Sequence, residues 1–163
     1  MEFLDIVSEQ DEVVGRAARA EIYERKLTHR IVHVYVFNSQ GELALQRRSA
    51  QCDYCPLHFG TSAAGHVSSG ETYEQAAQRE LKEELGINVP LQFLGKEYYT
   101  EDPRGVMKFI SVYRAEYDGD LPFDPKEVES VRWLSLNRVR ALLKAGEPFT
   151  PQLVYILERY FST

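Results

Sequence analysis

From Arg30 to Phe37 apolar, aromatic and β-branched residues follow one another almost without a break, and from Glu42 to Arg47 they alternate with polar ones. Asn38-Ser-Gln-Gly41 between the two runs is a turn, so the segment reads as strand, turn, strand. Ahead of it, Phe3–Val7 and Val13–Ala17 flank a Ser-Glu-Gln-Asp-Glu turn and predict a short hairpin, followed by a short helix near Arg19–Lys26. Residues 49–60 carry Pro56 and Gly60 and read as a loop, with a brief strand at Thr61–Ala64. From Thr72 to Leu85 the period lengthens to that of a helix: Ala77, Leu81 and Leu85 form one apolar stripe. Thr72 and Gln75 fit a capping box, and Gly86 stands where a left-handed glycine ends a helix. Two further strands are predicted around Leu91–Thr100 and Val106–Tyr117, Asp118-Gly119-Asp120 turns the chain, and Ser130–Leu134 is another strand. Ser135 caps a helix running through Lys144. Thr150-Pro151, an N-cap followed by an N1 proline, opens a last helix to about Tyr160. The class is α+β, with a mixed sheet packed between helices.

Length and composition narrow the picture. The 163 residues suit one domain spanning 1–163, with residues 1–28 as a hairpin and helix packed on it. A hydrophobic content of 44% and a charged content of 27% are those of an ordinary folded chain. The longest apolar stretch, Ile31–Phe37, is far too short for a membrane span and is broken by His33. The acidic start MEFLDIVSEQDE lacks the basic and then apolar character of a secretory signal, so the cytoplasm is the expected compartment. The net charge of −6 argues against a sequence-independent grip on nucleic acid. It is compatible with phosphate ligands if a divalent cation stands between them and the carboxylates. Cys52 and Cys55 alone cannot complete a zinc site without His58 and His66, and they are expected to be two reduced loop thiols.

The chemistry concentrates in residues 65–87: Gly65-His-Val-Ser-Ser-Gly-Glu71, seven residues, then Arg79-Glu-Leu-Lys-Glu-Glu-Leu-Gly-Ile87. At about 100° per residue, Glu83 and Glu84 fall about 60° to one side and about 40° to the other of Glu80. Three carboxylates therefore share a helix face beside the apolar stripe. Like charges at these spacings repel by a few tenths of a kcal/mol per pair, a cost borne by exposure or relieved by a cation. Mg²⁺ takes hard oxygen ligands and keeps waters and substrate phosphates in its shell, and this face next to a glycine-rich loop suits it. Arg79 can hold one of the glutamates as a bidentate partner.

The whole pattern, G-x5-E-x7-R-E-U-x-E-E-x-G-U with U apolar, resembles the signature of the Nudix hydrolases at every constrained position. The resemblance implies a Nudix fold with a loop–helix–loop metal site. In it Glu80, Glu83, Glu84 and the Gly65 carbonyl hold Mg²⁺, with Mn²⁺ as an acceptable substitute. Glu80 and Arg79 are the catalytic candidates, and Glu71 ties the loop to the helix. The implied activity is hydrolysis of a diphosphate linkage in a nucleoside diphosphate derivative or similar small molecule, by Lewis-acid polarisation and lowering of the water pKa. A general base outside the box would come from Glu101, Asp102, Glu127 or Glu129.

Asp5–Gly15, His29-Arg30, Leu45-Gln-Arg-Arg48 and Phe149-Thr-Pro-Gln152 are similar to the isopentenyl-diphosphate-isomerase-like branch of that family. The resemblance raises an isomerase as the alternative. It is disfavoured because Ala64 stands where type I isomerases have a catalytic cysteine, and Lys108 and Ile110 stand where they have acidic residues. His29 and His66 do match two isomerase metal ligands. A non-catalytic nucleotide-sensing module is a third alternative, opposed by retention of Glu80, Glu83 and Glu84. Arg48, Arg47 and His66 are the substrate-binding candidates. Strand alternation allows only one of the two arginines to face the site, and Arg48 matches better. Tyr54, Phe59, Tyr98, Tyr99 and Trp133 are candidates for stacking. The expected partner is a small-molecule diphosphate; the oligomeric state, a homodimer included, is left open.

Overall fold

A computed structural model describes residues 1–161; the last two residues of the expected span 1–163 lie outside the described residues. Its centre is β3 (His29–Phe37), which alternates between two buried faces. Ile31, Tyr35 and Phe37 point one way into a cluster with Ile110, Leu153 and Ile156. Val32, Val34 and Val36 point the other way, onto Ala76, Ala77, Leu81 and Leu85. A strand covered on both faces needs no polar alternation, which is why its sequence runs apolar throughout.

Along one edge β3 runs parallel to β8 (Lys108–Glu116), from His29↔Lys108 to Phe37↔Glu116. β7 (Gln92–Tyr99) lies antiparallel beyond β8. Along the other edge, the first half of β3 pairs antiparallel with β6 (Ala63–His66), Val32 opposite Gly65. β4 (Leu43–Arg48) meets β3 only at Phe37↔Leu43, then diverges to pair with β9 (Val128–Leu134) and with β5 (Phe59–Gly60). The mixed sheet lies between α2 (Tyr73–Leu85) on one face and α3 (Leu136–Lys144) with α4 (Pro151–Tyr160) on the other.

The helix ends follow their sequence signals. Thr72 and Gln75 form the reciprocal capping box, and Gly86 closes α2 in the left-handed region at φ 71°. Ser135 and Thr150 each accept the backbone N–H three residues on. Two short strands depart from expectation. β6 lies two residues later than predicted, so Gly65 is in a strand rather than a loop, and β5 occupies the end of the expected loop 49–60. Both are too short for a periodic signal and exist because a neighbouring edge offers hydrogen bonds.

The N-terminal hairpin, β1 (Phe3–Val7) and β2 (Val13–Ala18), leads into α1 (Arg19–Glu24), shorter than expected because Lys26 adopts a positive φ. Leu4, Ala17 and Ile22 form a small core of their own. Asp5 accepts the Ser69 hydroxyl at 2.7 Å and the Gly70 N–H at 3.2 Å, so the hairpin holds the loop ahead of α2. Asp11 draws in Arg30, Lys96 and Tyr73, each at 2.7 Å, from β3, β7 and α2.

Candidate active site

α2 packs its stripe of Ala77, Leu81 and Leu85 on the sheet, which turns the neighbouring face toward β6. Glu80 is drawn in with it, only 9% exposed, whereas the side chain of Glu83 remains 58% exposed. Gly65 lies directly against Glu80: a Cβ on Gly65 would fall on the Glu80 carboxylate. The glycine therefore lets a strand carbonyl approach a helix carboxylate as no other residue would.

Arg79 organises this corner. Its Nε and Nη2 make a two-pronged contact with Glu71 at 2.8 and 2.9 Å, Nη1 reaches Glu80 at 2.7 Å and Glu83 at 3.2 Å, and Nη2 also donates to the His66 carbonyl at 3.0 Å. Glu71 in turn accepts the Ser68 N–H at 2.9 Å. The expected single Arg–Glu partnership is thus a hub joining three glutamates and β6. Glu71 burial opposes ionisation, but Arg79 and the Ser68 N–H outweigh it and hold its carboxyl below the usual range. The Glu71 contact raises the Arg79 pKa further, so this residue carries a permanent charge.

Glu84 turns inward. It accepts Gln46 Nε2 at 2.6 Å and the Ala64 N–H at 3.3 Å. Burial, and then the charge of Glu80 beside it, push its carboxyl well above the ordinary range; burial also raises Glu80. Two buried neighbouring carboxylates that resist ionisation call for a proton or a cation between them. As placed, Glu80 and Glu83 share Arg79, and among the described residues no three such groups form a ready metal cluster. The donor set nevertheless fits a hard divalent ion: carboxylates, the Gly65 carbonyl, and a basin of about 510 Å³ that Arg48, His66 and Glu127 also line.

Beside this basin lies a recess of about 120 Å³ of opposite character. Arg19 on α1, Arg48 on β4, Arg104 in the β7–β8 loop and Lys108 on β8 line it, together with Tyr23 and Tyr54. Arg48 donates Nε to the Tyr54 carbonyl at 2.9 Å. Arg104 is gripped by Asp102 and lies 3.7 Å from the Tyr54 ring centroid and 4.6 Å from that of Tyr23. Lys108 pairs with Asp102 at 2.9 Å. Burial, only partly offset by Asp102, lowers the Lys108 pKa to about 8. Arg19, Tyr23 and Arg104, and Asp124 on the basin wall, carry no signal in the sequence, which marks Lys108 only as a departure from the isomerases. They come from separated segments, and no local spacing marks them.

Other expectations sort by position. Arg47 does not face the site: its Nε donates to the Leu57 carbonyl and its guanidinium lies over Phe59, because strand alternation sends it away from Arg48. His66 does line both the basin and the recess, with Nε2 2.6 Å from the Tyr23 hydroxyl and its ring stacked on His29. His29 is fully buried; burial and then the Lys108 charge lower its pKa to about 4, and its Nε2 has no partner among the described residues.

Of the four outside acids, only Glu127 borders the basin. Glu101 lies near Arg159, and Glu129 is exposed on β9. Asp102 is spent on Lys108 and Arg104. Burial opposes its ionisation, yet Arg104 and Lys108 hold it far below the carboxylate range, which makes it a poor base. Tyr99 and Phe59 are core, Tyr98 stacks on Phe109 and Trp133 flanks the α2-side cluster, leaving Tyr54 as the one expected stacking residue at the recess. Cys52 and Cys55 are free thiols. No described helix is long and apolar enough to cross a membrane.

The Nudix domain model matches residues 27–155. An uncharacterized Nudix hydrolase of Nostoc sp. is 38% identical over 99% of this chain and 97% of its own. A Deinococcus radiodurans crystal structure superposes with a TM-score of 0.87 at 32% identity, covering 98% of this chain and 99% of that one. A Photorhabdus laumondii protein named isopentenyl-diphosphate Delta-isomerase 2 is 30% identical over 87% of this chain and 82% of its own. With the signature, the sheet and the glutamate helix in place, the extent of these matches shows that the chain belongs to the Nudix family and is a hydrolase acting on pyrophosphate bonds.

Proposed function

We propose that the protein is a Mg²⁺-dependent hydrolase of a small diphosphate, a nucleoside diphosphate derivative or a molecule of similar shape, with Mn²⁺ able to replace Mg²⁺. The observation that carries the proposal is the convergence of Glu80, Glu83, Glu84 and the Gly65 strand on one basin, with Arg79 tying the corner together. Glu80, Glu83, Glu84 and the Gly65 carbonyl would hold the ion. When bound, it supplies Lewis-acid charge to the diphosphate and acidifies water. Arg79 keeps Glu80 and Glu83 oriented. Glu80, whose carboxylate lies against Gly65 of β6, receives the proton from the attacking water. Arg48 and His66, on the walls shared by basin and recess, orient the diphosphate.

Isomerisation is the weaker alternative on this geometry. It needs an acid and a base on opposite faces of a double bond. Ala64 provides neither, Ile110 is fully buried core, and the Lys108 ammonium is locked to Asp102.

The test is turnover of a panel of nucleoside diphosphates, nucleotide sugars, ADP-ribose and isopentenyl diphosphate, with Mg²⁺ or EDTA, by wild type, Glu80→Gln and Glu83→Gln. Hydrolysis is expected to require Mg²⁺ and to fall by roughly 10²-fold or more in each variant, since each removes a charge from the ion's ligand set. Near-wild-type rates in either variant would refute the assignment.

A further inference from the structure

The wall of the site changes sign between basin and recess. On the recess side stand Arg19, Arg48, Arg104 and Lys108, against Glu84 as the one carboxylate among its lining residues; Arg19, Arg48 and Glu84 border the basin as well. The Lys108 side chain is only 1% exposed, and that of Asp102, its partner, is wholly buried. Burying an ammonium is costly unless it is paired, and Asp102 pairs it while gripping Arg104 as well. One carboxylate therefore serves two cations, the buried Lys108 and the half-buried Arg104, and the trio keeps one positive charge before Arg19, Arg48 and Glu84 are counted.

Arg104 is held rigidly. Asp102 takes its Nε at 3.1 Å and its Nη2 at 3.0 Å, and the rings of Tyr54 and Tyr23 fix the guanidinium plane. That leaves Nη1 for a ligand. The Tyr54 hydroxyl, in the same wall, is buried with no hydrogen-bond partner among the described residues. A fixed guanidinium with a spare N–H, a buried ammonium and an unpartnered O–H together form a receptor for a compact oxyanion.

Size selects which one. The recess offers about 120 Å³, well below the roughly 300–1,000 Å³ of pockets that enclose drug-sized ligands. A phosphoryl group fits there and a nucleoside or sugar does not. Arg48, Gly65 and His66 line both recess and basin, so the two are continuous. A much larger groove of about 860 Å³, which shares Arg48, Tyr54 and Arg104 with the recess and Glu127 with the basin, is where a bulky substituent has room.

We infer that the recess takes the terminal phosphoryl group of the substrate, with Arg104 and Lys108 as specificity-determining residues, so that the diphosphate cleaved is substituted at one end only. The inference rests on the diphosphate-hydrolase proposal above. The reaction is then water plus a monosubstituted diphosphate. The bridging P–O bond breaks, and the products are a phosphate monoester and orthophosphate, with a proton released to solvent.

Two measurements test it. The first needs no turnover: orthophosphate binding in EDTA, by calorimetry, to wild type, Arg104→Gln and Arg104→Lys, each checked for a wild-type urea midpoint. Wild type is expected to bind, Arg104→Gln at least about tenfold more weakly, and Arg104→Lys in between, since lysine keeps the charge but not the fixed Nη1 geometry and glutamine keeps neither. The second compares kcat/KM with Mg²⁺ for methyl diphosphate and P1,P2-dimethyl diphosphate. Wild type is expected to favour the first by at least about tenfold, and Arg104→Gln to lose most of that preference.

Absence of orthophosphate binding, equal binding by folded Arg104→Gln, or equal use of the two diphosphates would each overturn the inference. Arg104-dependent orthophosphate binding without hydrolysis of any diphosphate would uphold the anion recess and overturn the hydrolase proposal instead.

Discussion

Glu84 is the residue on which stability and the proposed chemistry pull apart. Its carboxyl sits against Gln46, Ala64 and Glu80, and burial raises its pKa above the value it has in the unfolded chain. The folded state therefore holds the Glu84 proton more tightly than the unfolded state does. Its contribution favours folding below the unfolded pKa and is lost as pH rises through the higher folded value. Without a divalent ion, burial and the neighbouring Glu80 oppose the ionised form of Glu84. Glu84→Gln keeps the acceptor for Gln46 and removes the charge, so it is expected to stabilise the metal-free protein by about 1–2 kcal/mol at pH 7 and to lose Mg²⁺ binding. Urea unfolding in EDTA checks the first point and calorimetric Mg²⁺ titration the second. A destabilised variant would mean that Glu84 is ionised and well satisfied in the fold. The spacing of Glu80, Glu83 and Glu84 was legible because three and four residues always return to one helix face. Which of them is buried was not, since that depends on how α2 rolls against β6.

Among the elements, the approach of β6 to α2 sets the geometry of the site. Val32↔Gly65 pairing brings the strand to the helix, and only the missing Cβ of Gly65 leaves room for Glu80. Gly65→Ala is expected to displace the Glu80 carboxylate and to reduce turnover on the order of 10²-fold, the effect of misplacing a reacting group by about 1 Å. Circular dichroism should show an unchanged fold, because the clash falls on a side chain and not on backbone. Unimpaired turnover would show that Glu80 can move without consequence. The sequence carried the glycine but assigned it to a loop, because a four-residue strand has no period of its own. The capping box of α2 and the proline start of α4 were legible for the opposite reason: a helix end is built from residues within one turn.

For the whole molecule, charge and metal are linked. A net charge of −6 with Glu80, Glu83 and Glu84 on one face gives the fold a standing repulsion that a divalent ion relieves. Mg²⁺ is therefore expected to raise the melting temperature and EDTA to reverse it, with about 2.7 kcal/mol gained at a hundredfold excess over Kd. In Glu83→Gln the Mg²⁺ shift should shrink. A melting temperature indifferent to Mg²⁺ in the wild type would count against a metal held by this face. The opposing charges, Arg19, Arg48, Arg104 and Lys108, arrive from α1, β4, the β7–β8 loop and β8, and only the closed sheet places them beside the carboxylates.

By itself the sequence determined what is local: the turns, caps and periods of nearly every element, the cluster of box residues on α2, and through them the family. Tertiary structure alone decided that β3 runs parallel to β8 and that Asp102 is held in ion pairs with Lys108 and Arg104. It also decided that a cationic recess adjoins the acidic basin. Local contacts recur wherever the chain takes a given backbone period, so they can be read from spacing. Contacts between distant segments cost loop-closure entropy and form only where burial and hydrogen bonding over the whole fold repay it, and no short stretch of sequence records that balance.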